Sequence, residues 1–115
     1  MMPRVLVAVD PLMYREVIAH AIRKHRPHAE VRTADPDDLD SEARRLVPHL
    51  VVCNHATRAV REAAVSWVEL EVRPGPGRLD AKMKVDSMPL SRVEQAEIDD
   101  VLAALDETER TLSRD

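Results

Sequence analysis

Two polar residues sit where this chain could do chemistry. Asp10 follows the apolar run Val5-Leu6-Val7-Ala8-Val9, and Asn54 follows Leu50-Val51-Val52-Cys53. In open α/β sheets, ligands and reactions gather just outside the carboxyl ends of the strands. A residue at either point would be well placed, and its type limits what it can do. Asp10 brings one carboxylate, a possible metal ligand. With Pro11 behind it, the favoured reading is instead a helix N-cap with proline at the first helical position. Asn54 is a neutral amide, able to donate and accept hydrogen bonds. Its simplest role is a polar loop start that satisfies nearby backbone groups.

The other reactive side chains form no pattern. Cys53 stands alone in an apolar run, where a thiol reads as inert core rather than as a redox centre. The histidines are His20, His25, His28, His49 and His55. His25 and His28 are close, but Pro27 separates them. His49 and His55 flank the second apolar run, about 20 Å apart on an extended strand. There is no nucleophile–base signature, Gly-rich phosphate loop or cysteine pair. The chain is therefore expected to be no enzyme and to need no metal and no cofactor.

Composition bounds the class. The 115 residues are 44% hydrophobic and 33% charged, a globular balance that suits one domain, residues 1–115. Phenylalanine is absent, and Tyr14 and Trp67 are the only aromatics, so the core must be aliphatic. The net charge is −4, with both signs mixed along the chain, which argues against a nucleic-acid surface. No apolar run approaches the ~20 residues of a membrane span, and the five apolar residues after Arg4 are too few for a secretory signal. One cysteine allows no intramolecular disulfide and suits a reducing cytoplasm.

The elements that must position Asp10 and Asn54 follow from the pattern. Both apolar runs lack alternation, so both read as buried strands of a parallel sheet covered on two faces. The Asn54 run, entered by Pro48, is the central one. Between them Tyr14, Val17, Ile18, Ala21 and Ile22 form a helical stripe, with Arg15, Glu16, Arg23 and Lys24 outward. Ala29 to Ala34 alternates as an edge strand with a wet face. Asp35-Pro36 opens a second helix with the stripe Leu39, Ala43, Leu46 and Val47. Residues 55–64 leave room for about two helical turns.

Val65 to Val72 is a strand whose apolar phase shifts between Trp67 and Val68, predicting a bulge or a two-sided environment. Pro74-Gly75-Pro76-Gly77 is too short for a crossover helix, so the strand near Ala81 to Val85 should pair antiparallel with the Trp67 strand. Asp86-Ser87 turns into Met88 to Val93. A last helix carries Ile98, Val101, Leu102, Leu105 and Leu112 opposite the acids Asp99, Asp100, Asp106, Glu107 and Glu109.

Over its first half the chain resembles the receiver domain of bacterial response regulators. Receivers fused to helix-turn-helix output domains often read R-V-L-I-V-D-D-H-P-L-F-R-E. Residues 4–16 here are Arg-Val-Leu-Val-Ala-Val-Asp-Pro-Leu-Met-Tyr-Arg-Glu. The family's P-D-L-V-L-L-D matches Pro48-His49-Leu50-Val51-Val52-Cys53-Asn54. The resemblance implies a flavodoxin-like, three-layer α/β fold, with a parallel core from the first three strands and, here, a C-terminal antiparallel hairpin. It also places the family's phosphoacceptor aspartate on Asn54 and its Mg²⁺-binding acidic pair on Val9 and Asp10. Ser66 stands for the switch hydroxyl, and Lys82 or Lys84 for the lysine. The M-P-x-x-D/N-G segment after the acceptor is missing.

An amide accepts no phosphoryl group, and one carboxylate is a poor site for Mg²⁺. The resemblance therefore implies a pseudo-receiver, a phosphorylation-independent module whose degenerate pocket is Val9, Asp10 and Asn54. Its expected partner is a protein or a second copy, docked through the hairpin edge or the last helix. Two alternatives stay open: a small-ligand binder using the strand-end pocket near Asp10 and Asn54, and a weak phosphoreceiver using another acid.

Overall fold

In a computed structural model, which describes residues 2–75 and 78–113, the parallel strands form as their apolar runs predict. β1 spans Arg4–Ala8, β2 Glu30–Thr33 and β3 Leu50–Cys53; β4 spans Ser66–Val72, β5 Leu79–Val85 and β6 Ser91–Val93. They make one sheet in the order β2-β1-β3-β4-β5-β6. Pairing is parallel from β2 to β4 and antiparallel from β4 to β6. The helices are α1 (Leu12–His25), α2 (Leu39–Leu46), α3 (Arg58–Ala63) and α4 (Ile98–Leu112). This is an α/β fold on a mixed six-stranded sheet with helices on both faces.

Each face has its own core. Val5, Val7, Leu50, Val52, Val68 and Leu70 point to one side, where Ile18 and Ile22 of α1 and Val101, Leu102 and Leu105 of α4 cover them. Leu6, Ala8, Val51 and Cys53 point to the other, against Leu39, Ala43 and Val60 of α2 and α3. All four β3 residues are 0% exposed, which explains a strand without alternation. The two-sided reading of β4 is correct and no bulge is needed: Ser66 to Val72 pair with Val85 to Leu79 without a break. Val68 and Leu70 enter the first core, while Trp67 packs against the second. The antiparallel hairpin forms as expected; its turn residues 76 and 77 lie outside the described residues.

Several local expectations are overturned. Asp10 does not cap α1. The N-cap is Pro11, with no side-chain cap, and its carbonyl takes the amide hydrogens of Tyr14 and Arg15. Arg15 does not face outward; its side chain is 13% exposed and turned back on β1. Val17 and Val47 leave their stripes for solvent. Val47 ends α2 in the left-handed region at φ 45°, because Pro48 next in sequence cannot continue a helix. The outer edge of the hairpin is not free either, since β6 pairs with β5 from Ala81 to Met83. Asp35, by contrast, does cap, accepting the Asp37 amide hydrogen at 2.9 Å at the head of a 3₁₀ turn, Pro36–Asp38.

His49 joins the entrances of β1 and β3. Its Nδ1 accepts the Arg4 amide hydrogen at 2.8 Å. Burial first, then the Arg4 cation, hold the imidazole below its ordinary range. The folded protein therefore takes up a proton at His49 less readily than the unfolded chain. This stabilisation is complete above the ordinary histidine value of about 6.5 and is lost as pH falls from there through the lowered folded value. Urea midpoints should drop between neutral pH and mildly acidic pH, and His49→Asn should flatten that drop. An unchanged slope in the variant would contradict the assignment.

Candidate functional site

Ala8 pairs with Cys53, so the strand ends at Val9, Asp10 and Asn54 come together as the sequence implied. What they do there differs. The Asn54 Oδ1 accepts the Asp10 amide hydrogen at 2.7 Å, and its Nδ2 donates to the Asp10 carbonyl at 3.0 Å. The same Nδ2 reaches the Leu70 carbonyl at 3.4 Å. Two opposed bonds to one residue are what a neighbouring strand would supply. The side chain thus stands in for a peptide unit and carries the β1–β3 ladder one step past its end, across to β4. The polar loop start read from sequence is correct in kind, and its partners are more distant than loop neighbours.

Asp10 and Val9 are also committed. The Asp10 carboxylate pairs with the Arg15 guanidinium at 3.0 Å, while Arg15 Nε donates to the Val9 carbonyl at 3.0 Å. Val9 is 1% exposed and part of the first core. The Mg²⁺ that the resemblance implies does not fit these residues. It wants several oxygen ligands in octahedral geometry; here one position is an apolar core side chain, and the sole carboxylate already faces a cation.

A neighbouring acid went unnoticed in the sequence. Glu69 on β4 stands beside Cys53 and across from Lys82. Its Oε2 accepts the Ala56 amide hydrogen at 2.8 Å, and the carboxylate lies 3.7 Å from His55 Nδ1 and 3.9 Å from Lys82 Nζ. It is 17% exposed, and it pins the loop after β3. The acid–base alternation of β4 and β5 carried the signal, but only the strand register shows which lysine meets which glutamate.

The remaining site candidates are dispersed. Ser66 opens β4 opposite Leu50, at the far end of the sheet from Asn54. It is fully buried, and its Oγ has no hydrogen-bond partner. It is therefore placed where no switch hydroxyl could reach the strand-end site. Lys82 is held at Glu69, and Lys84 lies opposite Trp67 with its amine on the Met88 carbonyl. Cys53 is fully buried, and burial first, with Glu69 nearby, pushes its thiol up to about 12, so it stays protonated and unreactive at neutral pH. His28 pairs with Glu109 at 2.7 Å. Among the described residues, no three His, Cys, Asp or Glu side chains are grouped to hold a metal ion.

Four clefts among the described residues lie elsewhere. One runs over the wet face of β4, β5 and β6 past Glu69, Arg73 and Lys82; another opens beside Trp67 and Arg61. Two more lie between α1 and α4 and under Met88. Asp10 and Asn54 line none of these four. Compared with known protein families, curated proteins and solved structures, the chain gives no match. Among the described residues, no helix is long and apolar enough to cross a membrane.

Proposed function

We propose that this chain is a pseudo-receiver, a phosphorylation-independent signalling module of the cytoplasm that works by protein contact. The observation that carries the reading is the Asn54 bridge. At the point where an α/β sheet offers a reactive site, the amide is spent on three backbone partners, and Asp10 is spent on Arg15. The order β2-β1-β3-β4 supports the flavodoxin-like part of the proposal, because doubly wound sheets of that kind begin in the same order. The antiparallel β5 departs from it. A hairpin in place of a crossover helix leaves the wet face of β5 and β6 without a covering helix. An interaction module tolerates that, since its output is a surface rather than a closed pocket.

The test pairs two measurements on the wild-type protein. Intact mass after incubation with acetyl phosphate and Mg²⁺ should show no phosphoryl adduct, and affinity capture should retain a specific protein, or a second copy, whether or not phosphodonor is present. A phosphorylated wild type would make another acid the acceptor and overturn the reading. Capture that requires phosphodonor would overturn it as well.

A further inference from the structure

We infer that the cleft beside Trp67 binds a small planar aromatic anion, with its ring on the indole and its acidic group within reach of Arg61 and Lys84. The inference stands apart from the interaction-module reading, and it concerns a different place from the ends of β1 and β3. The cleft opens where β4 begins and β5 ends, on the face of the sheet that carries α2 and α3. Its volume is about 420 Å³, the largest of the four clefts and within the range of small-molecule sites.

The strand register builds the floor. Trp67 stands across from Lys84, so the indole and the lysine stem lie side by side on one face. Trp67 packs against the second core and is still half-exposed, because α3 has six residues and ends at Ala63. Val65 and the exposed Leu90 add apolar walls. The Arg61 guanidinium lies 5.7 Å from the ring centroid. That is within cation–π reach but beyond the roughly 3.5–4 Å of flat contact, so the cation sits near the indole without sealing it.

The charges decide the sign of the ligand. Farther along the same face the cations are paired, Lys82 with Glu69 and Arg73 with Asp80. In the cleft they are not. Among the described residues Arg61 has no carboxylate partner, and the Lys84 amine is held by the neutral Met88 carbonyl. The one acid of the lining, Asp86, is exposed and pairs with neither of them. Two cations against one carboxylate leave this cleft positive in a chain of net charge −4. An anion here supplies the partner that Arg61 and Lys84 lack.

The indole decides the shape. A flat ring laid on a half-exposed tryptophan removes two apolar faces from water at once, with stacking in addition. A bare inorganic anion would leave the indole wet, and a neutral ring would leave both cations unanswered. A ring that carries its own anionic group uses the whole cleft. Nucleoside monophosphates and aromatic carboxylates share that chemistry. The site is open on one side, so the dissociation constant should be on the order of 100 μM.

Trp67 is the only tryptophan of the chain, so its fluorescence reports on this cleft alone. The full chain is titrated with adenosine monophosphate and, separately, with nicotinate. Saturable quenching by the first alone names a nucleotide, by the second alone a carboxylate, and by both the shared chemistry. Adenosine and inorganic phosphate, each using half of the site, should bind at least about tenfold more weakly. Arg61→Gln and Lys84→Gln should each weaken binding by about fivefold, the upper range of an exposed ion pair. Asp86→Asn should tighten it by about threefold, because a like charge is removed. Asp86 has φ 47°, a conformation that asparagine also adopts, and a gain of affinity cannot come from misfolding. Four results would each overturn the inference: no saturable quenching by either probe, adenosine or phosphate binding as tightly as the probes, both glutamine variants without effect, or weaker binding by Asp86→Asn.

Discussion

Val51→Ala should lower the free energy of unfolding by about 2–4 kcal/mol, in the range of large-to-small core changes. Val51 is 0% exposed. It stands between Leu6 of β1 and Trp67 of β4 in one row across the sheet, under the helices of the second core. Each of those neighbours is held by its own strand ladder, so none can move in to fill the space of two lost methyl groups. The cost is then the transfer term plus an unrelaxed cavity. Urea unfolding followed by the fluorescence of Trp67, the single tryptophan, reads it directly. A loss under about 0.5 kcal/mol would mean that the site collapses easily and that β3 is not the rigid centre of the sheet.

Asn54→Asp should destabilise the protein by about 1–3 kcal/mol and should not confer phosphorylation. The carboxylate can still accept the Asp10 amide hydrogen, but it has no donor for the Asp10 and Leu70 carbonyls that Nδ2 now serves. Oxygen would face oxygen at both, and a partly buried acceptor left without its donor costs roughly that amount. Phosphoryl transfer brings two anions together and needs a cation between them. Val9 supplies no ligand and Asp10 is paired with Arg15. Val9→Asp in addition would place a carboxylate at a position 1% exposed, which is a further cost rather than a repair. Intact mass with phosphodonor and Mg²⁺, beside a urea titration, decides both halves. A phosphorylated single variant would show that Asp10 can leave Arg15 and serve the metal. An equally stable one would show that the amide donor contributes nothing.

Much of the fold was legible because its signals are local. The unbroken apolar runs give β1 and β3, Pro27 and Pro48 end the helices before them, and the short Pro-Gly turn forces β5 antiparallel. The site was half legible. Sequence brings Asp10 and Asn54 to adjacent strand ends, but the bridge between them depends on the register Ala8 to Cys53, which no local pattern encodes. Asp10 misled for a related reason. Asp-Pro is a common helix start, yet the carboxylate found the Arg15 guanidinium, five residues on, and the helix began after the proline. Glu69 was hidden in an ordinary alternation until its strand partners were known. Val17 fitted the apolar stripe by spacing alone; its exposure reflects how far α1 is rolled over the sheet, which depends on where α4 sits.

The two borders of the sheet have a consequence for the protein's behaviour at high concentration. β2 offers four residues, among them the Glu30–Arg32 ion pair. β6 offers three, with Arg92 at its centre. Such short, charged borders are poor templates for another chain's backbone, and a head-to-tail union of β2 with β6 would be the route to an endless fibre. Crowding this protein should therefore leave a clear solution rather than a gel.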